Sequence, residues 1–312
     1  MNDATVSVII PTHFRNELLR KTLRSVRKQE HSPIEVIVVD DSGVGHAHDV
    51  INEFDAVLYV QLTENCGAQE ARNIGLRLAT GEYVQFLDDD DQLRPTKLSK
   101  QIATLREHPN ASVAFCGIQY GSGEVHLPPP DIAGNVLEQA LGFWNGIWRY
   151  STLLVHRPAV DAISPLDTRT PAGDDIWARI ELARITEFVA IREPLVLAGE
   201  GEDHLGMSWA AAKSRRQLLD RYEALYGNVN PEVRRHALAE TNRLEALLYL
   251  RERCWSPRAI VAFARAAYYA PTDRPQHVAE FAASLFGRSG HELARRLRDR
   301  LVDAGRNGPS TN

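Results

Sequence analysis

Tyr83-Val84-Gln85-Phe86-Leu87-Asp88-Asp89-Asp90-Asp91 joins a short apolar run to four consecutive carboxylates. The apolar part reads as a buried strand, so the acids stand at its carboxyl end. Charge at the mouth of a buried strand is costly unless something neutralises it. A divalent cation carrying a polyphosphate meets that need, because hard cations take oxygen ligands and magnesium-type ions share their shell with substrate phosphates. For an isolated acidic run, a turn of solvated acids is the ordinary alternative.

Working outward, the first 120 residues alternate strand and helix. Val6–Ile10 is short, β-branched and closed by Pro11. Glu17–Lys28 places Leu19, Leu23 and Val26 on one helical face, with Asn16 as its cap. Ile34–Val39 is a second strand ending at Asp40-Asp41, and Val57–Val60 a third. A helix follows over Ala68–Ala79, broken by Thr80-Gly81. Beyond the acidic run, Leu93–Glu107 reads as a helix and Ala111–Cys116 as a strand. Such alternation implies βαβ units and a largely parallel sheet with helices on both faces. Ligands of such sheets bind beyond the carboxyl ends of the strands. Pro11-Thr12, Asp40-Asp41 and Asp88–Asp91 all lie there, so the three are expected to converge. Later come short strands at Ser151–Val155, Glu187–Ile191 and Leu195–Ala198 and a helix at Ile176–Ala183. From Trp209 the pattern is helical almost to the end.

The 312 residues are 44% apolar and 25% charged, an ordinary globular balance. No apolar run approaches the ~20 residues of a membrane-spanning helix. The N-terminus lacks the basic and apolar regions of a signal peptide. Cys66, Cys116 and Cys254 are far apart and odd in number, giving neither a disulfide framework nor a metal pair and suiting a reducing cytoplasm. The net charge of −5 is uneven: residues 210–312 carry 18 Lys and Arg against 11 Asp and Glu, a net +7, and the remainder is −12.

Five stretches then stand in a specific order. They are Val6–Thr12; Val38-Val39-Asp40-Asp41-Ser42; Asn65-Cys66-Gly67 with Ala71-Arg72-Asn73-Ile74-Gly75; Gly81-Glu82-Tyr83 leading to Asp88–Asp91; and Gly173-Asp174-Asp175-Ile176-Trp177. Each alone is weak. Together, over residues 5–208, the chain resembles the family-2 glycosyltransferases of the GT-A fold. The dinucleotide fingerprint of the rival oxidoreductase sheet is absent after the first strand.

The resemblance implies a Rossmann-like α/β domain over 1–208, a helical subdomain over 209–304 and a tail over 305–312. It implies inverting, metal-dependent transfer from a nucleotide-diphosphate sugar, a UDP-sugar by preference, to a glycan or a polyprenyl-linked acceptor. Pro11 and Thr12 then contact the nucleoside, and Asp40 accepts a hydrogen bond from the base, with Asp41 beside it. Arg72 reaches the nucleotide, since a guanidinium offers paired donors to phosphate oxygens. Asp88-x-Asp90 matches the DxD motif: Asp90 ligates Mn2+ or Mg2+, Asp88 contacts the ribose or a metal-bound water, and Asp89 fills the position between. Asp175 is the general base. Asp174 stands where the family usually has Glu. His204, in a His-x-x-x-Ser segment, is a further metal ligand; the arginine-aromatic pair common upstream is missing, and Leu197-Ala198-Gly199-Glu200 stands instead. Trp144, Trp148 and Arg149 sit on the acceptor side or pack the sheet edge.

Two rivals remain at this level. A nucleotidyltransferase needs a basic glycine-rich loop after the first strand, and His13-Phe14-Arg15-Asn16 has no glycine. A non-catalytic binding module sits poorly with intact Asp88, Asp90 and Asp175. The C-terminal arginines Arg288, Arg295, Arg296, Arg298 and Arg300 suggest peripheral contact with an anionic membrane on its inner face. No nucleic-acid motif is present.

Overall fold

The computed structural model describes residues 4–130, 132–144, 149–170, 172–199, 205–271 and 274–293. In chain order the first elements are β1 (Val6–Thr12), α1 (Asn16–Arg27), β2 (Ile34–Asp40), α2 (His48–Ile51), β3 (Val57–Gln61), α3 (Ala68–Leu78), β4 (Tyr83–Phe86), β5 (Gln92–Leu93) and α4 (Lys97–Glu107). Then come β6 (Ala111–Gln119), β7 (Val125–His126), α5 (Leu137–Leu141), β8 (Leu153–His156), α6 (Arg157–Ala162), α7 (Asp174–Ala183) and β9 (Glu187–Leu197). The remainder is helical: α8 (Trp209–Arg221), α9 (Glu223–Tyr226), α10 (Pro231–Glu252), α11 (Pro257–Tyr269) and α12 (Arg274–Ser284). Residues 1–140 with 145–204 form one compact unit, and 141–144 with 205–312 a second.

The first unit is built on one sheet of order β3-β2-β1-β4-β8-β6-β9-β5, with β7 paired to β6. β1, β2, β3 and β4 are mutually parallel, as the alternating pattern predicts. The other half is mixed, because β8 runs antiparallel to both β4 and β6. β1 is buried along its whole length, which its β-branched run requires. Its register decides the site. Thr12 pairs with Asp40, and Ile9 pairs with Phe86. Three residues further along each chain, Thr12 comes level with Asp89.

Three local expectations are corrected. Asn16 is the first helical residue of α1 rather than its cap; Arg15 is the N-cap, and Asn16 Nδ2 donates to His46 O instead. The helix expected from Leu93 begins at Lys97, because Gln92-Leu93 is recruited into the sheet against Val196-Leu197 and Pro95 follows. β9 is one strand rather than two. Its pairing jumps from Cys116↔Ile191 to Gly117↔Pro194, an irregularity that accommodates a proline with no N–H to give.

In the second unit, α10 and α11 share a core of Ala246, Leu250, Ala259, Ala262 and Phe263. Pro231 and Pro257 each open their helix behind a capping side chain, Asn230 and Ser256. Among the described residues, no helix is long and apolar enough to cross a membrane.

Candidate active site

The site is assembled at the carboxyl ends of β1 and β4. Thr12 Oγ1 donates to Asp89 Oδ2 at 2.7 Å, as the strand register dictates. Thr22, buried on α1, places its hydroxyl 2.9 Å from the carbonyl of Asp89 and 2.7 Å from that of Asp91. Asp88 N donates to Ser151 Oγ, and Gly199 N to Asp91 Oδ1. The acidic loop is thus held by β1, α1, the turn before β8 and the segment after β9. Gly199 has to be glycine, since a Cβ there would overlap the carbonyl and Cβ of Asp90.

Arg72 is the centre of the arrangement. Its guanidinium donates to Asp88 Oδ1 at 2.6 Å and to Asp174 Oδ2 at 2.8 Å, and its Cζ lies 4.3 Å over the Tyr150 ring. The side chain is only 6% exposed, so its charge is withdrawn from water. Its Nε has no hydrogen-bond partner among the described residues. Tyr150 Oη accepts from Gln69 and donates to Asp174 O, which locks the ring beneath the cation. One buried cation therefore ties the Asp88 loop to the helix carrying Asp174 and Asp175.

Asp174 and Asp175 open α7, with Gly173 as the cap residue. Carboxylates in a first helical turn are favoured by the helix dipole. Asp175 is half-buried, and its Oδ1 accepts from Ile176 N at 2.8 Å. Burial pushes Asp174 upward against the pull of Arg72.

Arg15 Nη1 lies 3.2 Å from Asp89 and 3.3 Å from Asp90. Burial holds Asp89 up at about 6, and burial with Asp88 nearby raises both Asp90 and, to about 7, Asp91. Arg15 and Arg149 oppose the rise at Asp90 without reversing it. Burial disfavours the charged form of these acids, and clustered carboxylate oxygens are a donor set that an added divalent cation would stabilise. Among the described residues, no three acid, His or Cys side chains are already grouped to hold a metal. Phosphate oxygens and water would complete such a shell.

At the edge of this cleft Asp40 does a structural job. Its Oδ1 accepts from Ser42 N, and its Oδ2 from Ala47 N and Tyr59 Oη. The carboxylate is fully buried and turned into its own loop. Asp41 likewise accepts from Cys66 N and Gly67 N, and Gly67 reaches this geometry at φ +85°. Pro11 lies inside β1. Trp144 packs edge-on against His236 in the second unit. His204 and Trp148 fall outside the described residues.

Sequence reading missed four participants. Arg15 had no motif to flag it. Tyr150 and Gln69 matter only through Arg72. Phe14 is 52% exposed at a left-handed φ of 55°, with its ring against His13 and His46 at the end of β1. An exposed aromatic in a strained conformation is a recurrent mark of a binding position.

Residues 7–159 match the family described as Glycosyl transferase family 2. The chain is 36% identical over 116 residues to the "putative teichuronic acid biosynthesis glycosyltransferase TuaG" of Bacillus subtilis, covering 36% of this chain and 46% of that protein. It is 37% identical over 99 residues to the Escherichia coli "UDP-Glc:alpha-D-GlcNAc-diphosphoundecaprenol beta-1,3-glucosyltransferase WfaP", covering 31% and 39%. The chain spans less than half the length of these curated relatives. Among solved structures, the "mannosyltransferase PcManGT from Pyrobaculum calidifontis in complex with GDP-Man and Mn2+" aligns with a TM-score of 0.62 at 19% identity, covering 95% of this chain and 84% of that one. That likeness shows the fold, which is of the GT-A type.

Proposed function

We propose, from the premise that this chain belongs to glycosyl transferase family 2, that it moves a sugar with inversion from a nucleotide-diphosphate donor, a UDP-sugar by preference, to a hydroxyl of a glycan on a polyprenyl diphosphate. What supports the reading is Arg72. Through it the Asp88 loop and the Asp174-Asp175 helix end meet at one guanidinium, 2.6 and 2.8 Å from its two acids. A relative that acts on a diphosphoundecaprenol-linked sugar supports the acceptor class.

Asp90 would hold Mn2+ or Mg2+ and Asp88 would contact the ribose or a metal-bound water, with Asp89 steadied behind them by Thr12 and Arg15. When bound, such an ion stabilises charge on the departing diphosphate as a Lewis acid. Arg72 adds a fixed positive charge on the same side. Phe14 offers its exposed ring to the nucleoside base. Asp175 takes the proton of the acceptor hydroxyl as that oxygen attacks the anomeric carbon from the face opposite the diphosphate. Its Oδ1 is engaged by Ile176 N, which leaves Oδ2 for the proton. Such help is typically worth ~10²–10⁴-fold in rate.

The test is turnover of UDP-sugars with a polyprenyl-diphosphate glycan acceptor and manganese, comparing wild type with Asp175→Asn. Product from the wild type alone is expected. Equal product from both removes Asp175 as the base, and none from any nucleotide sugar removes the activity.

A further inference from the structure

The outward faces of α11 and α12 carry a composition that the catalytic reading does not use. On α11 the buried positions Ala259, Ala262, Phe263 and Ala266 face the helical core, and the exposed stripe is Arg258, Val261, Arg265 and Tyr268. Val261 is 51% and Tyr268 70% exposed. α11 contains no acidic residue. On α12 the exposed stripe runs Arg274, Pro275, Val278 and Ala282 and continues into Leu285 and Phe286, the last 78% exposed. The acid of α12, Glu280, is buried and paired twice to Arg243. Trp255 adjoins this end: its indole N–H donates to Leu285 O at 3.1 Å while its ring stays 54% exposed. Neither Arg258 nor Arg265 makes an ion pair among the described residues, and they sit three and four positions from the apolar members of their own stripe.

Large exposed apolar side chains beside unpaired arginines are expensive in water unless something covers them. The absence of acids decides what. A protein partner with a mixed rim would call for charges of both signs, whereas the stripe on α11 bears two arginines and no acid, and the acid of α12 is buried. Arginine stems bury along apolar surface while their heads stay wet, and Tyr and Trp rings settle at the headgroup level of a bilayer. We infer that the exposed stripe Arg258, Val261, Arg265 and Tyr268, together with the exposed rings of Trp255 and Phe286, docks on an anionic phospholipid bilayer. The helices lie on the surface and do not cross it. This deepens the proposed function and rests on it, because a polyprenyl-linked acceptor lies in such a bilayer.

The test is co-sedimentation of the full chain with vesicles of equal parts phosphatidylglycerol and phosphatidylcholine, against phosphatidylcholine alone. The wild type is expected to partition onto the anionic vesicles and to be released by high salt. Arg258→Gln with Arg265→Gln should weaken partitioning roughly 30-fold, the effect of two surface cations, and Tyr268→Ser with Phe286→Ser should abolish it. All four positions are exposed, so thermal melting of the variants should match wild type. A readout that needs no docking variant is quenching of Trp255 emission by brominated lipid, with Trp255→Phe as the control. Failure of the wild type to bind, binding indifferent to the two arginines, or a concentration-dependent dimer dissolved by the Tyr268/Phe286 pair would each overturn the inference. Donor hydrolysis in solution is measured on the same proteins. It needs the acidic site and no membrane, so its loss points to the proposed function and its retention without vesicle binding to the docking face.

Discussion

Lys97 shows how much a single side chain is asked to tolerate near this site. It is wholly buried, and its ammonium donates to Gln85 Oε1 and Gln101 Oε1. Those two amides in turn hold the carbonyls of Tyr150, Ser151 and Thr152, the turn that carries the ring beneath Arg72 and the hydroxyl that receives Asp88 N. Desolvation lowers Lys97 from 10.5 to about 8. The unfolded chain therefore keeps this proton to higher pH than the native one does. Burial of the charge costs stability in full below pH 8, and stability rises as pH goes from about 8 to 10.5, by about 3 kcal/mol in all. Cys116, which faces Lys97 and is pushed up to about 11, acts in the opposite sense above pH 9. Denaturation midpoints of wild type and Lys97→Met across pH 7–10.5 isolate the lysine: the difference should shift in favour of wild type as pH rises. A pH-independent difference would mean that folding leaves the Lys97 ammonium at its ordinary pKa. At the same scale, Gly199→Ala should displace Asp90 and weaken manganese-dependent nucleotide binding by tenfold or more, about 1.4 kcal/mol, with little change in melting temperature. Calorimetric titration measures the first and thermal melting the second.

The elements were legible where pattern and burial agree. Parallel β1, β2 and β4 are read directly from β-branched runs ending in turn residues, and their carboxyl ends do converge. The antiparallel β8 and the recruitment of Gln92-Leu93 against β9 were not legible, because pairing partners far apart in sequence leave no local trace. The same limit explains the site. Asp88–Asp91 and Asp174-Asp175 announce themselves as charge where a fold must neutralise it. Tyr150 and Gln69 do not, since their part is only to hold Arg72. The turn of Asp40 into its own loop was not legible either, because an acid at a strand end looks the same in sequence whether its oxygens face a ligand or its own loop. Arg72 as the tie between α3, the acidic loop and α7 gives the prediction for this scale. Arg72→Gln leaves two acids without their cation and should cost at most about 3 kcal/mol, less on the side of the half-exposed Asp88. Adding Asp174→Asn should return part of that loss, because residues sharing one network are not additive. A double-mutant cycle by chemical denaturation reads it, and strict additivity would mean that the 2.8 Å contact carries no coupling.

Across the whole molecule, charge and composition divide as the two units do. The acidic unit gathers Asp88, Asp89, Asp90 and Asp174 on Arg72 and Arg15, and the helical unit keeps a positive excess, the net +7 of residues 210–312. The account stands on acids from separate segments serving one ion-bridged diphosphate. Calorimetric titration of UDP into the wild type and into Asp90→Ala, each with manganese and with chelator, tests that most directly. Tight binding by the wild type only with manganese is predicted, together with loss of that dependence in Asp90→Ala. Equal affinity with and without the metal, or an unchanged metal dependence in Asp90→Ala, would contradict it.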